Sequence, residues 1–151
     1  MIKDLSEARI VKILQNNYTG SLGFIAHKSP YVLPVTYYFD PEHKAVISYA
    51  TEGHKTRAMR ESPKVSLLVV EQDSPDRWRS VLAHGVYEEL HQIDAKFYLK
   101  EFSTGVSKLL ESKGIATPSA ISEFSSKSDL QTDPLVYRIR ISDWTGKYRE
   151  G

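Results

Sequence analysis

The chain changes its hydrophobic period several times, and the changes divide it into strands and helices. Residues 4–16 repeat at helical spacing, with Asp4 or Ser6 as cap, Leu5, Ala8, Val11 and Leu14 along one stripe, and Asn16-Asn17 as the stop. Residues 21–26 predict a strand and 27–30 a turn. The run 31–39 is strongly β-prone but contains Pro34, which implies an edge, a bulge or interrupted pairing. A turn at 40–43 leads to a third strand at 44–50, and a short helix from His54 to about Glu61 ends before Pro63. The near-continuous apolar run 64–70 predicts a central strand buried on both faces. Residues 78–90 are long for one strand, so Gly85 is expected to mark a bend or bulge.

From Ile93 to about Lys113 the period becomes helical, on Phe97, Leu99, Phe102, Val106, Leu109 and Leu110. The stretch 114–133 is polar and rich in Ser and Thr, with a brief helical turn expected near 121–124. Residues 135–141 alternate cleanly, and 143–147 are expected to turn. About six strands with hairpin-length links and three helical pieces outside them predict a mainly β fold. The form expected is an antiparallel barrel with helical decorations, a single domain over 1–151 with a helical insert at about 93–130. No repeat or low-complexity tract interrupts it.

Composition narrows the chemistry. Twenty Lys and Arg against nineteen Asp and Glu leave a net charge of +1, so no global field draws the chain to nucleic acid or to acidic membranes. Cysteine is absent, which excludes disulfides, thiolate catalysis and cysteine-ligated metal centres. The N-terminal residues carry acids and lack a long apolar core, and no stretch approaches about 20 apolar residues, so a cytoplasmic location without membrane contact is expected. His27, His43, His54, His84 and His91 include no helical i, i+4 pair and no cluster with acids, so no metal site is expected. Paired catalytic carboxylates and serine-hydrolase signatures are also missing; Glu88-Glu89 fits a solvated strand end.

The junction 49–60 carries the most chemistry. A β-branched strand feeds a polar turn with Gly53, and His54-Lys55 then opens a helix. Free backbone N–H groups and the positive dipole end converge there, a geometry suited to phosphate. Lysine in a first turn opposes that dipole, so a compensating anion is expected; taken alone, the junction fits a solvated surface lysine equally well. Of the basic residues at 55, 57, 60 and 64, Lys55 and one arginine are expected to face the phosphate and the rest solvent.

Four segments in order, 33–38 (LPVTYY), 49–55 (YATEGHK), 62–66 (SPKVS) and 78–85 (WRSVLAHG), followed by the Tyr137-Arg138-Ile139 strand, resemble the pyridoxamine-phosphate-oxidase-like split barrels. The match is closest to the nitroimidazole-resistance, nitroreductase-like branch, and covers roughly 5–100 plus the last strand. The resemblance implies a six-stranded split barrel that dimerises and binds FMN at the subunit interface. It places Pro34, Val35, Thr36 and Tyr37 beside the flavin ring. Tyr49, Ala50, Thr51, Gly53, His54 and Lys55 would hold the ribityl chain and phosphate, with Lys55 the main phosphate contact. Trp78, Ser80 and Val81 would reach toward the flavin, from the partner subunit or as interface packing. Many members of this branch have histidine where this chain has Tyr49, so no catalytic residue is carried over. The arginine-rich C-terminal substrate motif of the vitamin-synthesising oxidases is missing. The implied activity is reduction of a small molecule, nitroimidazole-reductase-like, with electrons from NAD(P)H. Two alternatives stay open: a flavin- or haem-binding protein without turnover, with His84 as a candidate haem ligand, and a deazaflavin-dependent reductase on the same barrel.

Overall fold

The computed structural model describes residues 1–122 and 135–151; the end of the expected insert, at 123–130, lies outside the described residues. After the two-residue strand β1 (Lys3–Asp4), Ser6 caps α1 (Glu7–Asn16), its Oγ accepting from the Arg9 amide at 3.3 Å. The buried side of α1 is carried by Ile10, Ile13 and Leu14. This is rotated from the stripe expected, because the bulkier isoleucines turn inward and Ala8 is left in solvent.

Strands β2 (Thr19–Ala26) and β3 (Ser29–Thr36) form a hairpin whose loop is only His27 and Lys28, with φ of 52° and 64°. Two positive φ values in a two-residue loop match the primed turn that follows strand twist, though the residues are not the usual Asn-Gly. The strand expected over 31–39 is divided: β3 ends at Thr36, Tyr37 turns, and β4 (Tyr38–Asp40) joins β5 (Ala45–Ala50). The break falls at Tyr37 and not at Pro34, which stays in register opposite Ser21 on an edge strand where its missing N–H does no harm. Tyr37 turns because both its ends are tied: its amide donates to the Tyr18 carbonyl at 2.8 Å and its hydroxyl to the Leu14 carbonyl at 2.9 Å.

The helix α2 (His54–Glu61) then leads into β6 (Lys64–Ser74) and β7 (Arg77–Glu89), and α3 (Gln92–Ser112) and the short α4 (Ser119–Ser122) precede β8 (Leu135–Glu150). The antiparallel sheet runs β3-β2-β6-β7-β8-β5-β4, with β1 on β8. Its two end strands, β3 and β4, are consecutive in the chain around Tyr37, so the sheet closes through a covalent link and not a ladder, which is the split of a split barrel. Counting β3 and β4 as one strand and setting β1 aside gives the six strands expected.

Two further differences from the sequence reading concern β8 and β6. Strand β8 runs on to Glu150 in place of a turn at 143–147, because β7 is long enough to pair with it from Arg77 to Glu89. Strand β6 is buried on one face only: Val65, Leu67 and Val69 enter the core, while Leu68 and Val70 are exposed. Trp144 packs on Phe39, beneath the Lys44 ammonium, away from the 49–55 junction.

Gly85 sits at the β-bulge where β7 shifts register against β8. A Cβ there would stand 2.5 Å from the Arg140 carbonyl oxygen and 2.7 Å from an Ile139 methyl. Gly85→Ala must push two paired backbones apart and should lower stability by about 3 kcal/mol, at the upper end of overpacking costs. Chemical denaturation measures this; an unchanged midpoint would contradict the close approach.

Candidate functional site

The 49–55 junction forms a corner where β5 ends, α2 begins and the β2–β3 hairpin folds over. Gly53 caps α2 in an extended conformation. The Thr56 hydroxyl accepts from the Gly53 amide and donates to its carbonyl, both at 3.0 Å, which fixes the turn and aims the first helical amides outward. No acidic residue lies in this first turn. Lys55 is half-buried with its ammonium 5.7 Å from the centre of the Tyr137 ring, and burial holds its pKa below the usual lysine range.

Charge pairing separates Lys55 from Arg60, Arg138 and Arg140, while Arg57 and Lys64 are exposed. Arg60 is neutralised by Glu52 and Glu89. Arg138 pairs with Glu88 at 2.8 Å, and Arg140 reaches the same carboxylate at 3.0 Å. Glu88-Glu89 is therefore an ion-paired, half-buried strand end and not the solvated one expected. Among the described residues Lys55 has no carboxylate partner. That arrangement suits an external anion, since a half-buried unpaired charge is unfavourable until something compensates it.

The floor of the corner is continuous. Tyr137, fully buried, faces Ser48 across the β5–β8 ladder. The Ser48 hydroxyl donates to the Thr36 carbonyl at 2.6 Å, tying the end of β3 to β5. The Tyr137 hydroxyl is buried without a hydrogen-bond partner among the described residues; burial raises its pKa, and the adjacent Ser48 offsets this in part. Tyr49 leans edge-on against Phe102 of α3 at 5.3 Å, its pKa also raised by burial.

The structure brings Thr36, Ala50, Thr51, Gly53, His54 and Lys55 to this one corner, whereas the Tyr49 side chain lies on the opposite face of β5, packed under α3. Val35, Tyr37 and Val81 are close to fully buried, so their side chains belong to the core and only their backbones are available to a ligand. Pro34 and Thr36 alternate with them onto the outer surface of β3. Trp78 and Ser80 are elsewhere in the same chain. They begin β7, whereas Glu89, at its far end, pairs with Tyr137 below Lys55, roughly 36 Å away along the strand. Their side chains share the outward face of the sheet with the exposed Leu82, Leu68 and Val70, and Leu68 lies directly opposite Leu82.

Sequence reasoning missed Ser48 and Tyr137, which are apolar-strand positions by pattern and gain meaning only from cross-strand register. It also missed His27 and Tyr31: the His54 ring is stacked with His27 at 5.9 Å and meets Tyr31 edge-on at 5.4 Å. A further group, Asp40, Glu42 and His43, is a mostly exposed turn closed on itself, with His43 Nδ1 2.8 Å from Asp40 Oδ2. Among the described residues no helix is long and apolar enough to cross a membrane.

Residues 6–148 match the family model described as pyridoxamine 5'-phosphate oxidase. A FAD-binding protein from Mesorhizobium loti superposes with a TM-score of 0.76 at 25% identity, covering 100% of this chain and 98% of that one. A FAD and haem binding protein from Mycobacterium smegmatis shares the fold with a TM-score of 0.72 at 16% identity, covering 97% of this chain and 72% of that one. An uncharacterised protein of Rhizobium meliloti is 38% identical over 61 residues, a match spanning 40% of this chain and 39% of that protein.

Replacing Lys55 with methionine has two effects of opposite sign. The empty protein should gain stability, because burial disfavours the charged form. The lowered pKa means that this penalty is largest at neutral and acidic pH and fades as pH rises through it. Anion affinity should fall about ten- to a hundredfold, the loss of one charge-assisted hydrogen bond. Melting temperature and a phosphate-bearing ligand titration measure the two; a destabilised Lys55→Met protein with full affinity would contradict the assignment.

Proposed function

This chain belongs to the pyridoxamine 5'-phosphate oxidase family, and from that premise we propose that it is a homodimeric flavin-binding oxidoreductase that reduces a small molecule with electrons from NAD(P)H. The observation that carries the reading is the uncompensated Lys55 beside an open helix start. A flavin nucleotide supplies the phosphate such a corner lacks. The residues present fit the group: amides of the first turn of α2, the Thr51 hydroxyl and the Lys55 ammonium for the phosphate, and the end of β3, tied to β5 through Ser48, for the ring. When bound, the flavin supplies the hydride and electron transfer. The chain's own part is to bind, orient and exclude water, and no side chain is assigned a proton.

The outer face of the sheet supports the dimer. Leu68, Val70 and Leu82 are exposed together there, and Val32 on the neighbouring hairpin is 71% exposed. Trp78 and Ser80 lie on this same face but far from Lys55 in their own chain. A two-fold pairing through this face carries them toward the partner's corner, which makes the site a joint product of two copies. Reduction of nitroimidazoles is the narrower form of this reading, and a cytoplasmic location suits its pyridine-nucleotide donor.

Freshly purified protein should elute as a dimer with flavin absorbance, and anaerobic NAD(P)H should bleach it within the time of a turnover. A Soret band, a deazaflavin spectrum or a flavin inert to both donors would overturn the proposal in favour of a haem protein, a deazaflavin enzyme or a carrier. Leu82→Lys buries a charge in the face and should shift the protein toward monomer and weaken flavin retention together. Retained flavin on a monomer would overturn the shared site.

A further inference from the structure

Glu52 is the acid nearest to Lys55 in the chain, three residues before it and one before Gly53, the cap of α2. A carboxylate at that point lies where a helix start favours negative charge, and the half-buried Lys55 ammonium favours one too. Glu52 nevertheless serves neither group. Its Oε1 accepts from Arg60 Nη1 at 2.6 Å and its Oε2 from Arg60 Nη2, a forked pairing eight residues along the chain. Arg60 holds the Glu52 carboxyl below the usual carboxylate range, with Arg57 adding to this.

Arg60 is itself anchored. Its Nε donates to Glu89 Oε1, which also accepts from the Tyr87 hydroxyl at 2.9 Å. Burial and the Glu89 charge raise the Tyr87 pKa, so the phenol stays protonated and keeps donating. The Tyr87 amide donates to the Pro63 carbonyl at 2.8 Å, which fastens the chain just beyond α2 to the same strand. A lone exposed ion pair contributes little, but here all three guanidinium nitrogens are engaged, by two carboxylates, one of them backed by a phenol.

We infer that Arg60 is a latch that turns Glu52 away from the Lys55 corner, and that Glu52, once released, competes with the ligand's phosphate for Lys55 and the first amides of α2. The inference rests on the flavin reading above and adds a means of regulating that site. It explains how Lys55 stays without a carboxylate in a chain that has an acid so close. Arg60 is thus a positioning residue, acting through Glu52, and the released carboxylate closes the corner by an autoinhibitory contact.

The test uses full-length protein stripped of flavin, titrated with FMN and with riboflavin, which lacks the phosphate. Arg60→Met should weaken FMN binding about tenfold and leave riboflavin binding within about twofold of wild type. Adding Glu52→Gln removes the competing charge and should return FMN binding to within about threefold of wild type. Melting temperature should fall alike in the single and the double variant, since both lose the Arg60–Glu89 pair; affinity recovers where stability does not. Unchanged FMN binding in Arg60→Met, equal losses of FMN and riboflavin, or no recovery with Glu52→Gln overturns the inference. Recovery with Glu89→Gln in its place also overturns it, because Glu89 would then be the competitor. These results leave the flavin reading standing, whereas a wild type that binds neither flavin overturns both.

Discussion

An ammonium half removed from water and lacking a carboxylate is an unstable arrangement, and the surroundings of Lys55 show that its isolation is built in. Three nearby guanidinium groups are matched: Arg60 by Glu52 and Glu89, Arg138 and Arg140 by Glu88. The acids of this part of the barrel are thereby committed elsewhere. What remains at the helix start is a half-buried cation without a carboxylate and a set of outward amides, groups that an entering anionic ligand would stabilise, above a buried phenol with only the Ser48 hydroxyl beside it.

The barrel's closure explains why this corner exists. The sheet cannot continue from β3 to β4 by pairing, because Tyr37 turns the chain and locks itself to Tyr18 and Leu14. The gap that results is bridged at one point, the Ser48–Thr36 hydrogen bond, and directly behind that bridge lies Tyr137 below Lys55. A fully laddered barrel would leave no opening beside the helix start. The same outward alternation that empties the core of Leu68, Val70 and Leu82 gives the sheet an apolar face without a partner inside the chain.

Much of this was legible from the residues. The strand–turn–helix junction at 49–60, the helix over 92–112 and the bulge at Gly85 all follow from local patterning, and the order of four short segments was enough to identify the family. Pattern failed where tertiary context chose between equal options. An apolar run such as 64–70 does not say whether one face or two will be covered, and a proline in a β-prone run marks an edge without saying where pairing stops. Ser48 and Tyr137 were illegible because their role depends on which strand lies opposite. The fate of Arg60 depended on Glu89, twenty-nine residues away. His27 looked like an ordinary turn residue until α2 folded back to place His54 beside it.

The central claim is that the Lys55 corner encloses a phosphate, and phosphorus NMR of the flavin-loaded protein addresses it most directly. A free phosphomonoester titrates near pH 6, while the internal phosphates of a dinucleotide do not; FMN is therefore the informative ligand. Enclosed beside Lys55, its resonance should be displaced from that of free FMN and stay constant through this range, because the ammonium holds the dianion. A signal that coincides with free FMN and shifts with the same midpoint would mean that the phosphate lies in bulk water, and the account would be wrong.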